Sequence, residues 1–272
     1  MTMGTGTRKY VHGYAERESR RLFDQAATLT QILHADTIYP AGSRVLEAGC
    51  GVGAQTVILG ANSPGARIVS VDISERSLSA AKSLASIHGL RNVAFLRADI
   101  FNLPFPPESF DHVFVCFVLE HLPDPIGALT RLKAALKPGG TVTVIEGDHG
   151  STYFHPESPE ARAVIRCLVE IQAGMGGDAL IGRRLYPLLA GAGFRDIRVS
   201  PRMVYVDASR PALVEGFTRN TFIAMVEGVR ERALSLGLAD EGTWKKGIAG
   251  LRRTTAPDGV FCYTFFKGFA GK

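Results

Sequence analysis

The chain has 272 residues, 46% of them hydrophobic, and a formal net charge of +5 at pH 7. That content supports one substantial core with an appended lobe and excludes a disordered chain. The basic residues come only in short doublets such as Arg20-Arg21 and Arg183-Arg184, which fits solvated faces better than a nucleic-acid groove, and no apolar run is long enough to span a bilayer.

The four cysteines, Cys50, Cys116, Cys167 and Cys262, are scattered. They lack the close pairs of a zinc site or a disulfide framework and suit a reducing cytoplasm. Residues 1–10 carry Gly and Thr where a secretion leader needs an apolar run, so the expected location is cytoplasmic. Residues 13–35 read as one or two amphipathic helices. They either pack on the sheet edge or, with Tyr14 beside the flexible Gly13, fold over a ligand as a lid.

Val45-Leu46-Glu47-Ala48 reads as a buried strand running into Gly49-Cys50-Gly51-Val52-Gly53, with a helix after it. Glycines at alternate positions let a ligand lie against the main chain, and the next helix points free N–H groups toward it. Glu47, just before the glycines, would repel a pyrophosphate and welcome a cationic amino-acid moiety. Asp72, closing the strand of residues 66–71, stands where a Rossmann unit puts the carboxylate that holds ribose hydroxyls. Together the two acids favour a positively charged nucleoside without phosphate, such as S-adenosylmethionine.

Ser74 reads as an N-cap of a helix to about His88, followed by a strand over residues 92–97. Asp99 at its end suits an adenine amine with Ile100 against the ring, or caps the turn before Pro104. Residues 110–117, ending in Phe117, form an apolar run expected of a central parallel strand. A helix is expected from Glu120, a turn at residues 136–140 and a strand at 141–145. Strand and helix thus alternate from 45 to 147, which means a doubly wound α/β sheet.

Residues 146–155 read as a polar and aromatic loop. Helices are expected at 159–173 and 182–192, and strands at 194–205 and 260–269. Between those strands lies an insertion of two helices over residues 207–256. The expected organisation is an N-terminal helical lid at 1–40, a Rossmann-like core at 41–206 with a cap segment at 150–180, a helical cap at 207–256 and a last strand at 257–272.

These motifs, in this order and at these spacings, resemble a class I S-adenosylmethionine-dependent methyltransferase of the small ubiquinone-biosynthesis-like kind. The likeness covers residues 43–205 and returns at 260–269. It implies a seven-stranded sheet whose last strand is antiparallel. It also implies that residues 47–53 hold the methionine portion, Asp72 the ribose, Ile73 the adenine face and Asp99 the adenine amine. Tyr14, Glu47, Gly49, Cys50, Gly51, Gly53, Ile100 and Phe117 complete the expected cofactor shell, without a metal. Leu136-Lys137-Pro138-Gly139-Gly140 is the family's usual lead into the fifth strand.

In some sugar O-methyltransferases of this family a His after the fourth strand and an Asp at the fifth act as bases. Here those positions hold Glu120 and Glu146, so that pattern is broken. His121, one place on, caps or packs a helix or serves the site. Asp148 and His149 lie at a strand's carboxyl end, where ligands bind in open α/β sheets, and His suits proton transfer near neutrality. His149, Asp148, Glu120 and Glu146 are therefore the candidate catalytic residues. Tyr153, Phe154 and His155 line an acceptor pocket or form core, and residues 219–222 reach the same pocket from the insertion. The expected function is O- or N-methylation of a small-molecule acceptor. A protein or RNA acceptor and a non-catalytic binding protein are the alternatives, and a homodimer is left open.

Overall fold

The computed structural model describes residues 16–272, with side chains given for Arg21 and from Gln25 onward. Gly13 and Tyr14, the expected hinge and tip of a lid, lie outside the described residues. The first helix, α1, is Glu16–His34, and it buries Leu29 and Leu33 against the sheet.

Seven strands form one sheet: β1 Arg44–Ala48, β2 Arg67–Asp72, β3 Val93–Arg97, β4 Phe110–Cys116, β5 Leu136–His155, β6 Arg195–Val206 and β7 Val260–Gly271. Their order is β3-β2-β1-β4-β5-β7-β6. The first five strands are mutually parallel, while β7 runs antiparallel to both β5 and β6. The expected sheet, last strand reversed, is the one observed. Val45 and Leu46 on β1 and Val113, Phe114 and Val115 on β4 are all fully buried, because a parallel sheet is covered on both faces.

The crossovers are α2 Ala54–Asn62, α3 Glu75–Ile87 and α4 Pro125–Ala135. Ser74 caps α3 by accepting from the Ser77 N–H, and Asp124 caps α4 by accepting from the Gly127 N–H. The helix expected from Glu120 starts later. Residues Leu119–His121 make one 3-10 turn, Leu122 is extended, and α4 begins at Pro125. Pro123 disfavours helical geometry at Leu122, which explains the delay.

Residues 146–155 are not a loop. They continue β5, pairing Asp148 with Thr264 and Tyr153 with Cys262 across an irregularity between the two pairs. The polar, glycine-containing stretch that reads as a loop is a bulged strand, and its partner, β7, lies more than a hundred residues later in the chain.

One face of the sheet is covered by α1, α2, α5 (Pro159–Gly174) and the insertion, the other by α4 and α6 (Leu185–Gly191). The insertion holds more than the two expected helices. It runs α7 Pro211–Leu213, a π-helix Val214–Ile223, α8 Ala224–Glu227, α9 Arg230–Ser235 and α10 Glu241–Arg253. Gly247 lets α10 approach α5 closely, since a Cβ there would lie 2.6 Å from the Glu160 carbonyl oxygen, and Trp244 is buried nearby in the same core. Among the described residues no helix is long and apolar enough to cross a membrane.

Candidate active site

A deep pocket opens where β1, β2 and β4 end, and it continues past β5 to the π-helix and β7. At its first end the glycine turn leaves β1 with positive φ at Gly49 (78°), Gly51 (53°) and Gly53 (86°). The N–H groups of Gly49 and Cys50 both donate to the Val71 carbonyl oxygen, at 2.8 and 2.9 Å, so the turn is tied to β2. A Cβ on Gly49 would lie 2.6 Å from a Val118 methyl. Only glycine keeps both the turn and the close approach.

Asp72 lines the same wall and fastens it. Its Oδ2 accepts from the Gly51 N–H and its Oδ1 from the Ser74 N–H, each at 2.8 Å. Burial pushes its carboxyl above the ordinary range, against the pull of those N–H donors. Ile73, Asp99 and Ile100 line the pocket beside it, as do Gly49, Cys50, Gly51 and Phe117.

Phe117 has φ 57°, a left-handed conformation that costs a non-glycine residue. Glu146 holds the turn just after it. Its Oε1 accepts from the N–H groups of Val118 and Leu119, at 3.0 and 2.8 Å. Glu146 is fully buried and does not line the pocket. Burial, with Glu120 close by, raises its carboxyl well above the ordinary range. It buckles the Phe117 turn and lies off the pocket wall.

Three other expected residues also sit elsewhere. Glu47 is buried between β1, β2 and α2, where its Oε2 accepts from the hydroxyls of Thr56 (2.7 Å) and Ser70 (2.6 Å), and it does not line the pocket. Gly53 packs on α3, where a Cβ would meet the Ala81 Cα at 2.9 Å. Asp148 is 2% exposed and gives both oxygens to Arg183, at 2.6 and 2.8 Å. Successive strand residues point to opposite faces, so Asp148 and His149 part company although adjacent.

His149 does line the pocket. Its backbone N–H donates to the Ala179 carbonyl oxygen, its Nδ1 lies 2.7 Å from the Tyr263 hydroxyl, and its buried Nε2 has no hydrogen-bond partner among the described residues. Burial lowers its pKa, although Glu120 and Asp148 oppose the shift, so the ring is neutral at pH 7. Glu120 lines the pocket too and accepts from the Gln172 side chain at 3.0 Å. Burial pushes its carboxyl up, but His121, His149, Gln172 and Arg21 outweigh that and leave it below the ordinary range. One wall thus carries a carboxyl group and an imidazole, each favouring the charged form of the other.

The rest of this end is aromatic. Phe217, Phe222, Tyr263 and Phe265 form one cluster with ring centroids 4.7 to 5.9 Å apart. Thr221 and Phe222 reach the pocket as the sequence suggests, while Arg219 pairs with Glu215 on the surface. Tyr153 is 67% exposed and Phe154 is core; neither they nor His155 line the pocket. The sequence does not single out Tyr263, Phe217, Arg21 or Gln25, which also line it. Tyr263 sits in a strand whose apolar pattern hides it, and only Gly147 on β5 marks the space its hydroxyl needs.

The sheet order, the glycine turn and the acids at the strand ends are those of class I S-adenosylmethionine-dependent methyltransferases. Residues 46–144 match the methyltransferase domain family. A Streptomyces fradiae protein of 37.1 kDa from transposon TN4556 is 33% identical over 199 residues, 72% of this chain and 54% of its own. Demethylmenaquinone methyltransferase of Staphylococcus aureus is 35% identical over 106 residues, 39% of this chain and 43% of that protein. The chain spans about half the length of the curated relatives it matches. Among solved structures, Haemonchus contortus phosphoethanolamine N-methyltransferase 2, in complex with phosphomonomethylethanolamine and S-adenosylhomocysteine, shares the fold. Its TM-score is 0.57 at 19% identity, covering 95% of this chain and 58% of that one. The cofactor of the class is S-adenosylmethionine, and the glycine cradle that a Cβ would fill, with an acid beside it, fits that group.

Proposed function

We propose that this protein transfers a methyl group from S-adenosylmethionine to the O–H or N–H of a small, largely apolar acceptor. One observation carries this: a single pocket joins the glycine turn, Asp72 and Asp99 at one end to His149 and Glu120 inside an aromatic wall at the other. Asp72 would hold the ribose hydroxyls, Asp99 the adenine amine, Ile73 and Ile100 the ring faces, and the turn at Gly49 to Gly51 the methionine portion. When bound, the cofactor supplies an electrophilic methyl on a sulfonium.

This chain's residues then have two tasks. The aromatic cluster and the π-helix wall exclude water and align the acceptor, and orientation of this kind can carry much of the rate. His149, neutral with a free Nε2, takes the acceptor's proton, while the ionised Glu120 orients an N–H or O–H beside it. Residues 207–256 serve as the cap, a role supported by Phe217, Thr221, Phe222 and Met225 lining the acceptor end.

The test is incubation of the protein with methyl-labelled S-adenosylmethionine and a metabolite extract, followed by mass spectrometry of labelled small molecules. A labelled small product is expected. Label found only on protein or RNA, or cofactor binding with no transfer, would overturn the proposal.

A further inference from the structure

We infer that a second ligand site lies on the sheet at the end away from the glycine turn, and that it takes a small organic phosphate. The phosphate meets Arg198 and Arg202, and the organic body meets Phe269 and Ile38. This site shares no lining residue with the pocket described above and does not depend on the function proposed for that pocket.

The site arises from a change of pattern along three strands. Every second residue of a strand faces the same side. On the face covered by α1 and the insertion, β6 presents Val206 and Val204, then Arg202, Ser200 and Arg198. In the same way β7 passes from Tyr263 and Phe265 to Lys267 and Phe269, and β5 from Ile145 to Thr143 and Thr141. Register brings these residues together, since Phe269 pairs with Thr143 on one side and Arg198 on the other, and Lys267 pairs with Ser200. The apolar core stops at this level. A cavity of about 530 Å³ takes its place, closed on one side by residues 36–39 after α1, and its volume is that of a small-molecule site.

Three cationic side chains line the cavity, with one carboxylate among them. That carboxylate, Asp36, is already spent, its Oδ1 accepting from Lys267 at 2.6 Å and its Oδ2 from Arg202 at 2.5 Å. Against the effect of burial, these two cations hold its carboxyl below the ordinary range. Lys267 is spent as well, giving its other hydrogens to the Leu33 carbonyl oxygen and the Thr37 hydroxyl. The Arg198 guanidinium has neither ion pair nor hydrogen bond among the described residues. The Arg202 Nε is buried without a partner, and the buried Tyr39 hydroxyl has no hydrogen bond of ordinary geometry, only Thr143 standing near it.

Unused N–H and O–H donors with no unused carboxylate select an anion, and the planar arginine fork matches carboxylate or phosphate oxygens. The excess of two positive charges favours a phosphate monoester, which brings close to two negative charges and three acceptor oxygens. Phe269, 44% exposed, and Ile38, 64% exposed, leave apolar surface at the rim for the organic body to cover.

The experiment titrates phenyl phosphate into the full chain by calorimetry, with inorganic phosphate, phenol and benzoate as comparisons. Wild type should bind phenyl phosphate with a Kd of about 1 mM or tighter, as a ligand of its size in a matched site can, and more tightly than any of the three comparisons. Arg198→Glu should weaken phenyl phosphate about tenfold or more. Its S-adenosylhomocysteine affinity should stay within about twofold of wild type, as expected of distant sites. Absent binding, equal binding to Arg198→Glu, or displacement of phenyl phosphate by S-adenosylhomocysteine overturns the inference. Benzoate binding as tightly overturns the dianion, and inorganic phosphate binding as tightly overturns the organic body. If Arg198→Glu fails to fold, Arg198→Gln, which keeps the side chain's length without its charge, should show a loss of phenyl phosphate affinity in the same direction.

Discussion

Glu47 and Ser70 meet across the first two strands, the carboxylate accepting the serine hydroxyl at 2.6 Å. The acid that heads the glycine turn is thereby spent inside the sheet, joining β1 to β2 and, through Thr56, to α2. Its burial raises its pKa from 4.5 to about 7.

Between those two values the folded state holds a proton that the unfolded state has released, so the contribution to stability is full below the unfolded value and is lost as pH rises toward 7. Glu47→Gln, which keeps an oxygen acceptor, should remove up to about 3 kcal/mol of that pH-dependent loss. Urea denaturation at a series of pH values measures it, and parallel curves for wild type and variant would mean that the acid titrates alike in the folded and unfolded states.

Asp72 has a double duty, tying Gly51 and Ser74 together while facing the pocket. Asp72→Asn should weaken S-adenosylhomocysteine binding by about 1–3 kcal/mol, the usual cost of unsatisfied buried polar partners. Calorimetry reads this directly. Unchanged affinity would place the ribose elsewhere.

Gly53 combines φ 86° with an α3 backbone atom 2.9 Å from where a Cβ would stand. Gly53→Ala should cost about 2–4 kcal/mol, combining backbone strain and overpacking. The readout is the denaturation midpoint, and a loss below the range would show that α3 shifts freely.

Asp148 and His149 are neighbours with opposite fates. Asp148→Asn should loosen the contact with the half-exposed Arg183 at a cost of about 1 kcal/mol and leave turnover near wild type. His149→Ala should lower kcat by about a hundredfold with cofactor affinity intact. Because burial lowers the His149 pKa, the rate should hold down through the ordinary histidine range and fall only below it. Steady-state assays over pH on the acceptor found by labelling decide both points; an acid limb at or above the ordinary histidine value would contradict a buried neutral base.

The end of the pocket at the glycine turn was legible because its signals are local. Gly49, Gly51, Asp72 and Asp99 sit at strand ends that hydrophobic pattern alone locates, and each lines the pocket. Side-chain direction was not legible where it depended on a distant partner. Glu47 faces Ser70 and Thr56, Glu146 faces the Val118 and Leu119 amides, and Asp148 faces Arg183. The length of β5 was hidden for the same reason, since residues 146–155 become strand only when β7 returns beside them. Tyr263 and Phe217 gain their meaning from that same return.

The π-helix has a consequence of its own. Over Val214–Ile223 the chain carries wider turns than an α-helix, and the Thr221 hydroxyl reaches back five residues to the Gly216 carbonyl oxygen. Removing one residue there would let the stretch take up ordinary α-helical winding, the tighter turns absorbing the loss so that the flanking residues, Phe222 and Met225 among them, keep their register on the pocket. Wider turns of this kind let a helical wall gain or lose a residue without moving its ends, a tolerance that a wall built on strands alone does not have.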